Sequence, residues 1–203
     1  MREVDLQGAV TSLELGEILI YPTETFYGLG VDIQNPQSVE MLFQLKGREA
    51  NRPVSILISS PEQCKDLVLF LEPMAERLID HFFPGPLTLV LPVSPNLNPA
   101  LHAGTGWIGV RQSSHPLAQR LIEEFGGPIT TTSANPSGET SGSQLTHILD
   151  YFSHEQGINF FPGGDLPPSL GSTVVKVENN RLKLLRDGDI PFTEIKKFAD
   201  EAK

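Results

Sequence analysis

WIGVRQSSHPLAQRLIEEFGGPITTTSA, from Trp107 to Ala134, spells a strand, a helix and a second strand. WIGVRQ is an apolar, β-prone run. HPLAQRLIEEFGG sets Pro116 at a helix entrance and closes on Gly126 and Gly127, a usual C-terminal stop. PITTTSA then returns to an extended run. The same alternation continues outward on both sides. EILIYPT (Glu17 to Thr23) reads as a buried strand entering a loop. NPQSVEMLFQLK opens with Asn35-Pro36 and repeats apolar residues at Val39, Leu42, Phe43 and Leu45, the spacing of a helix face. VSILIS (Val54 to Ser59) is a strand. Helices are expected from Pro61 to about Phe70 and from about Pro73 to His81, then a strand from Leu87 to Val93. SPNLNPALHAGTGW reads as a long irregular loop. Beyond Ala134 come a polar loop NPSGETSGS, a short helix QLTHILDYF and a strand with a turn, INFFPGG. STVVKV and RLKLLRD form a hairpin through Glu178-Asn179-Asn180, and PFTEIKKFADEA is a helix with Pro191 near its start. This order predicts an α/β class: a single domain over residues 1–203, with a twisted mixed β-sheet and flanking helices.

Composition narrows the function. A chain of 203 residues buries roughly 70% of the surface its unfolded form exposes, so it needs no covalent staple. Cys64 is the one cysteine, which excludes an internal disulfide and a cysteine-rich zinc site. It lies in PEQCKDLVLF, a helical context with no nearby His, and reads as a packed residue rather than a nucleophile. His81, His102, His115, His147 and His154 show no metal-ligand spacing. The N-terminus has neither a signal-peptide core nor a transit pattern, and no apolar run approaches a membrane span, so the expected location is cytoplasmic. The formal net charge of −10 argues against a general nucleic-acid surface. It leaves room for a local basic pocket that takes a small anion.

Several segments carry chemistry. LKGREANRPVSILI gathers Lys46, Arg48 and Arg52 just before an apolar strand. Lys46 should end a helix, where the dipole favours any cation, and the arginine fork suits phosphate. PITTTSANPSG offers hydroxyls, an amide and small residues after a strand, which suits either an anion cradle or a capped turn; it lacks the Walker A pattern. In YPTETFYGLGVD, Thr23, Thr25 and Tyr27 share a face if the stretch is extended, with Glu24 on the other; GLG is too short for a dinucleotide fingerprint. Arg111 stands in an apolar strand and requires a partner charge, either a protein carboxylate or a substrate's. Ser172 and Thr173 start one hairpin strand and Arg186 ends the other. Asp187-Gly188-Asp189 reads as a solvated turn, with Mg²⁺ binding as the rarer alternative.

Taken in order, YPTETFYGLG, KGR…RP, VR…HP, SAN-x-SG, STVV and LRDG-x-I resemble the YrdC-like family, over about Ile18 to Ile190. The resemblance implies a sheet around a large concave, positively lined cavity. It also implies threonylcarbamoyl-AMP synthase activity: L-threonine, bicarbonate and ATP give threonylcarbamoyl-adenylate and pyrophosphate, with Mg²⁺ expected. A downstream complex then transfers the group to tRNA. By motif, Lys46 and Arg48 are the catalytic cations. Lys46, Arg48, Arg52, Ser133, Asn135, Ser141 and Arg186 bind ATP. Thr25, Arg111, Thr131 and Ser172 contact threonine, with Arg111 taking its carboxylate. Two positions depart from the pattern: Glu49 stands where members have Pro, which is delayed to Pro53, and Leu57 stands where some have His. The alternative is a non-catalytic paralogue of the same fold that binds tRNA or double-stranded RNA. The acidic balance and the lack of interleaved aromatics and cations leave at most weak direct RNA binding.

Overall fold

The computed structural model describes residues 1–47, 53–136 and 144–201. Among them the strands are β1 (Arg2–Glu3), β2 (Ile18–Tyr21), β3 (Gly28–Gly30), β4 (Ser55–Leu57), β5 (Leu87–Pro92), β6 (Trp107–Arg111), β7 (Ile129–Ser133), β8 (Ile158–Phe160), β9 (Thr173–Glu178) and β10 (Arg181–Arg186). They form one sheet in the order β1-β8-β2-β3-β7-β4-β6-β5-β9-β10. Four neighbouring pairs, β1–β8, β8–β2, β4–β6 and β5–β9, are parallel. The other five are antiparallel, so the sheet is mixed, as the sequence predicts.

The helices are α1 (Leu6–Glu14), α2 (Pro36–Leu45), α3 (Cys64–Leu67), α4 (Pro73–Phe82), α5 (Pro99–His102), α6 (Pro116–Phe125), α7 (Leu145–Tyr151) and α8 (Phe192–Glu201). Their starts follow local chemistry. Asn35 accepts from the amides of Gln37 and Ser38 at 3.1 and 3.2 Å, satisfying two orphan donors at the head of α2. His115 Nδ1 accepts from the Leu117 amide at the head of α6, and Gly126 stops that helix at φ +79°. The hairpin turn has Asn179 and Asn180 at φ +54° and +53°, the left-handed pair that a two-residue turn of right-twisted strands requires.

Alternation along β2 and β4 divides the core. Ile18, Ile20 and Ile56 join a large cluster that includes Val39, Leu42, Leu78 and Leu89. Leu19, Tyr21 and Leu57 join a second one with Leu13, Leu121, Ile122 and Ile129. Successive side chains of a strand point to opposite faces, so the sheet is covered on both, which is why ILIY and SIL carry no polar alternation. Leu57 is fully buried in the second cluster. The GLG of β3 accommodates an aromatic ring. A Cβ on Gly30 would lie 2.8 Å from Tyr21 Cε1, and one on Gly28 3.0 Å from its Cζ.

Three stretches differ from the sequence reading. The helix expected from Pro61 to Phe70 is a 3-10 turn followed by a short α3, and it ends early because Val68 bridges to Val93 and the Leu69 amide goes to the Pro92 carbonyl. The loop expected before Trp107 contains α5, capped by Asn98. The N-terminal stretch, unassigned in the sequence, supplies β1 and α1. Cys64 is buried, and burial pushes its thiol up to about 12, so it is a packing residue. No helix among the described residues is long and apolar enough to cross a membrane.

Candidate active site

The ends of β6, β7 and β10, the first residues of β3, β4, β5 and β9, and the close of α2 meet around a cavity of about 300 Å³. Every described residue among the sequence candidates lines it: Thr25, Lys46, Arg111, Thr131, Ser133, Asn135, Ser172 and Arg186. Arg48, Arg52 and Ser141 lie outside the described residues, as does Glu49.

Lys46 caps α2 and is only 6% exposed, so its ammonium needs an acceptor. Its Nζ donates to the Ser133 carbonyl oxygen at 2.5 Å. The contact ties the lysine motif to the SAN motif across 87 residues of sequence. The same carbonyl accepts from the Asn135 amide at 2.9 Å, and the Ala134 amide is held by the Tyr27 carbonyl at 2.8 Å. The turn after β7 is therefore fixed, with the Ser133 and Asn135 side chains on the cavity wall.

Arg111 ends β6 and is 7% exposed. The partner charge expected from the sequence is Glu24: Arg111 Nη2 donates to Glu24 Oε1 at 2.5 Å. Nη1 reaches Thr25 Oγ1 at 3.4 Å, and the buried Nε–H has no hydrogen-bond partner among the described residues. The other Glu24 oxygen accepts from the Ser113 hydroxyl. Residues 22–27 are a turn rather than a strand, because Thr23 Oγ1 accepts from both the Thr25 and the Phe26 amides. The turn keeps Thr23, Thr25 and Tyr27 on the cavity and brings Glu24 to Arg111. Burial pushes the Tyr21 phenol well above its ordinary range, so it stays protonated and donates to the Thr130 carbonyl at 3.1 Å.

On the opposite hairpin, Arg186 donates from Nη2 to the Ser172 carbonyl at 2.8 Å and to its hydroxyl at 3.0 Å, and from Nε to the same carbonyl at 3.2 Å. Burial, and then the nearby charge of Arg111, lower the Arg186 pKa from its ordinary value. The Ser172 hydroxyl also meets Thr88 Oγ1 at 2.8 Å. Asp187 and Asp189 accept hydrogen bonds within the protein. Asp187 Oδ1 accepts from the Phe192 amide at the head of α8, and Asp189 accepts from the Leu170 amide and the Ser169 hydroxyl. Gly188 between them passes so close that a Cβ would lie 2.3 Å from the Gly171 carbonyl oxygen.

Ser55 and Thr88 also line the cavity and were not singled out in the sequence. Thr88, a hydroxyl only 2% exposed inside the apolar run of β5, is the signal that marks it. Leu57 is in the core and off the cavity wall.

The family model described as "Telomere recombination", covering Sua5, YciO and YrdC, matches residues 11–188. The threonylcarbamoyl-AMP synthase of Pyrococcus abyssi is 37% identical over 187 residues, covering 92% of this chain and 54% of the relative. This chain thus spans about half the length of that protein. The enzyme of the same name from Photobacterium profundum is 39% identical over 146 residues, covering 71% of this chain and 79% of the relative. The crystal structure of P. abyssi Sua5 complexed with L-threonine superposes with a TM-score of 0.90 at 35% identity, over 95% of this chain and 56% of that one.

Proposed function

Because the chain belongs to the Sua5/YciO/YrdC family, we propose that it is a threonylcarbamoyl-AMP synthase acting as one YrdC-like domain. The observation that carries this reading is the convergence of Lys46 Nζ on Ser133, with Arg111 and Arg186 lining the same cavity. One concave space then offers cations and hydroxyls for a polyphosphate and a carboxylate together. Lys46 and Arg48 are assigned the catalytic role on the phosphates. Arg52, Ser133, Asn135, Ser141 and Arg186 bind ATP with them. Thr25, Arg111, Thr131 and Ser172 hold threonine.

In the reaction, the threonine amine attacks the carbon of CO₂ derived from bicarbonate. An N–C bond forms as one C=O π pair moves onto oxygen, and the proton the amine gives up combines with the hydroxide released from bicarbonate to make water. A carbamate oxygen then attacks the α-phosphorus of ATP, the α–β bridging bond breaks, and pyrophosphate leaves. Both steps bring anions together, so positioning and electrostatic stabilisation are what the protein has to supply. The wall residues suit that task. No group of three or more His, Cys, Asp or Glu able to hold a metal occurs among the described residues, and both Glu24 oxygens are engaged. Mg²⁺ is expected to enter with the substrate, as the ATP complex with phosphate oxygens among its ligands. The product is a reactive mixed anhydride, which calls for a downstream transferase that passes the group to tRNA. The cytoplasm, with its ATP and tRNA, is the location that this role implies.

The test is mass spectrometry of the products formed from ATP, Mg²⁺, L-threonine and ¹³C-bicarbonate. The reading expects an adenylate that carries both threonine and the label. AMP alone, or unchanged ATP with folded protein, contradicts it.

A further inference from the structure

The two arginines of the cavity sit in different electrostatic settings. Arg186 gives its Nε and Nη2 to the carbonyl and hydroxyl of Ser172, which are neutral oxygens. Arg111 gives Nη2 to a carboxylate, Glu24, at 2.5 Å. Glu24 is itself fixed from a second side by the Ser113 hydroxyl, and Ser113 Oγ accepts from the His115 amide at the head of α6 at 3.1 Å. Arg111 still has a donor to offer, since its Nη1 contact to Thr25 is long at 3.4 Å. Its charge, however, is balanced. Such a group can hydrogen-bond a carboxylate without presenting a net positive field. A ligand with net negative charge gains the hydrogen bonds but meets the repulsion of Glu24. A zwitterion brings its own cation and does not.

We infer that Glu24 is a specificity-determining residue: paired with Arg111, it makes this part of the cavity select zwitterionic amino acids and turn away net anions, phosphates included. The inference deepens the proposed function and rests on its assignment of an amino-acid substrate to Arg111. A cavity that must take both a polyphosphate and an amino acid needs such a distinction, because Arg111 and Arg186 line the same wall. Without Glu24, both arginines would draw the same phosphate groups. Glu24 acts through Arg111 and through its own charge, with both of its oxygens already bonded inside the protein.

The experiment is calorimetric titration of the full chain with L-threonine and, separately, with 3-hydroxybutyrate, the same carbon skeleton without the amine. The wild type is expected to prefer threonine by at least about tenfold. In Glu24→Gln that preference should fall by about tenfold, chiefly because 3-hydroxybutyrate binds more tightly. Glu24→Asp, which keeps the charge on a shorter arm, should retain it. Thermal melting establishes that each variant is folded. An unchanged preference in folded Glu24→Gln overturns the inference and leaves the substrate reading standing. If Glu24→Gln does not fold, the wild type decides, because equal binding of the two compounds overturns the inference. A wild type that binds neither compound overturns the amino-acid reading itself, and the inference with it.

Discussion

Replacing Lys46 with alanine should separate activity from folding. Lys46 is 6% exposed, and its Nζ lies 2.5 Å from the Ser133 carbonyl oxygen. Removing it deletes a charge-assisted hydrogen bond and a cation from the cavity wall. Contacts of that kind are worth roughly 1.5–3 kcal/mol. Applied to the transition state, that is a loss of roughly ten- to a hundredfold in kcat/KM for ATP, since about 1.4 kcal/mol is a factor of ten. The fold should survive. The Ser133 carbonyl keeps the Asn135 amide at 2.9 Å, so that acceptor is not orphaned, and a buried cation is removed instead of being left unpaired. Lys46→Met, which keeps the apolar stem, distinguishes lost charge from lost packing and should be as inactive as the alanine variant. The assay is initial-rate pyrophosphate release at saturating threonine and bicarbonate, with thermal melting in parallel. A folded Lys46→Ala with near wild-type kcat/KM would refute the reasoning.

Two further predictions follow from local geometry. Gly188→Ala puts a methyl 2.3 Å from the Gly171 carbonyl oxygen and 2.6 Å from the Thr173 amide nitrogen, both backbone atoms. It should cost about 1–3 kcal/mol and lower Tm by several degrees, as calorimetry would show; an unchanged Tm would mean that the loop yields freely. His115 Nδ1 accepts from the Leu117 amide at 3.3 Å, and burial lowers its pKa below the ordinary 6.5, against a smaller upward pull from Glu24. The folded state therefore prefers neutral imidazole. The stability that this contributes is fully present above about pH 6.5 and is lost as pH falls through the depressed folded value. His115→Asn, which keeps a capping acceptor, should flatten that acid limb in denaturant titrations across pH, and an unchanged limb would place the proton elsewhere.

Much of the fold was legible because its punctuation is local. Asn35-Pro36, Pro116 with Gly126, and Asn179-Asn180 carry their own backbone preferences, and the structure uses each as read. The sheet order was not legible, since β3 pairing with β7 and β5 with β9 depends on contacts far apart in sequence. The two-residue β1 is too short a pattern to announce itself, and α1 has no Pro at its start to punctuate it. In the site, the motifs of the resemblance identified residues that line one cavity. The Glu24–Arg111 pair was legible only as a need of Arg111 for some charge. An extended reading of Tyr21 to Asp32 sent Glu24 to the other face, whereas the Thr23 turn brings it back. Thr88 and Ser55 were missed because each is a single hydroxyl in a strand that reads as apolar.

The most direct measurement is pyrophosphate release from ATP with Mg²⁺ and bicarbonate, comparing L-threonine, L-serine and no amino acid. The account predicts release that depends on threonine and is weaker with serine. Release that is independent of threonine, or none at all from folded protein, would contradict it.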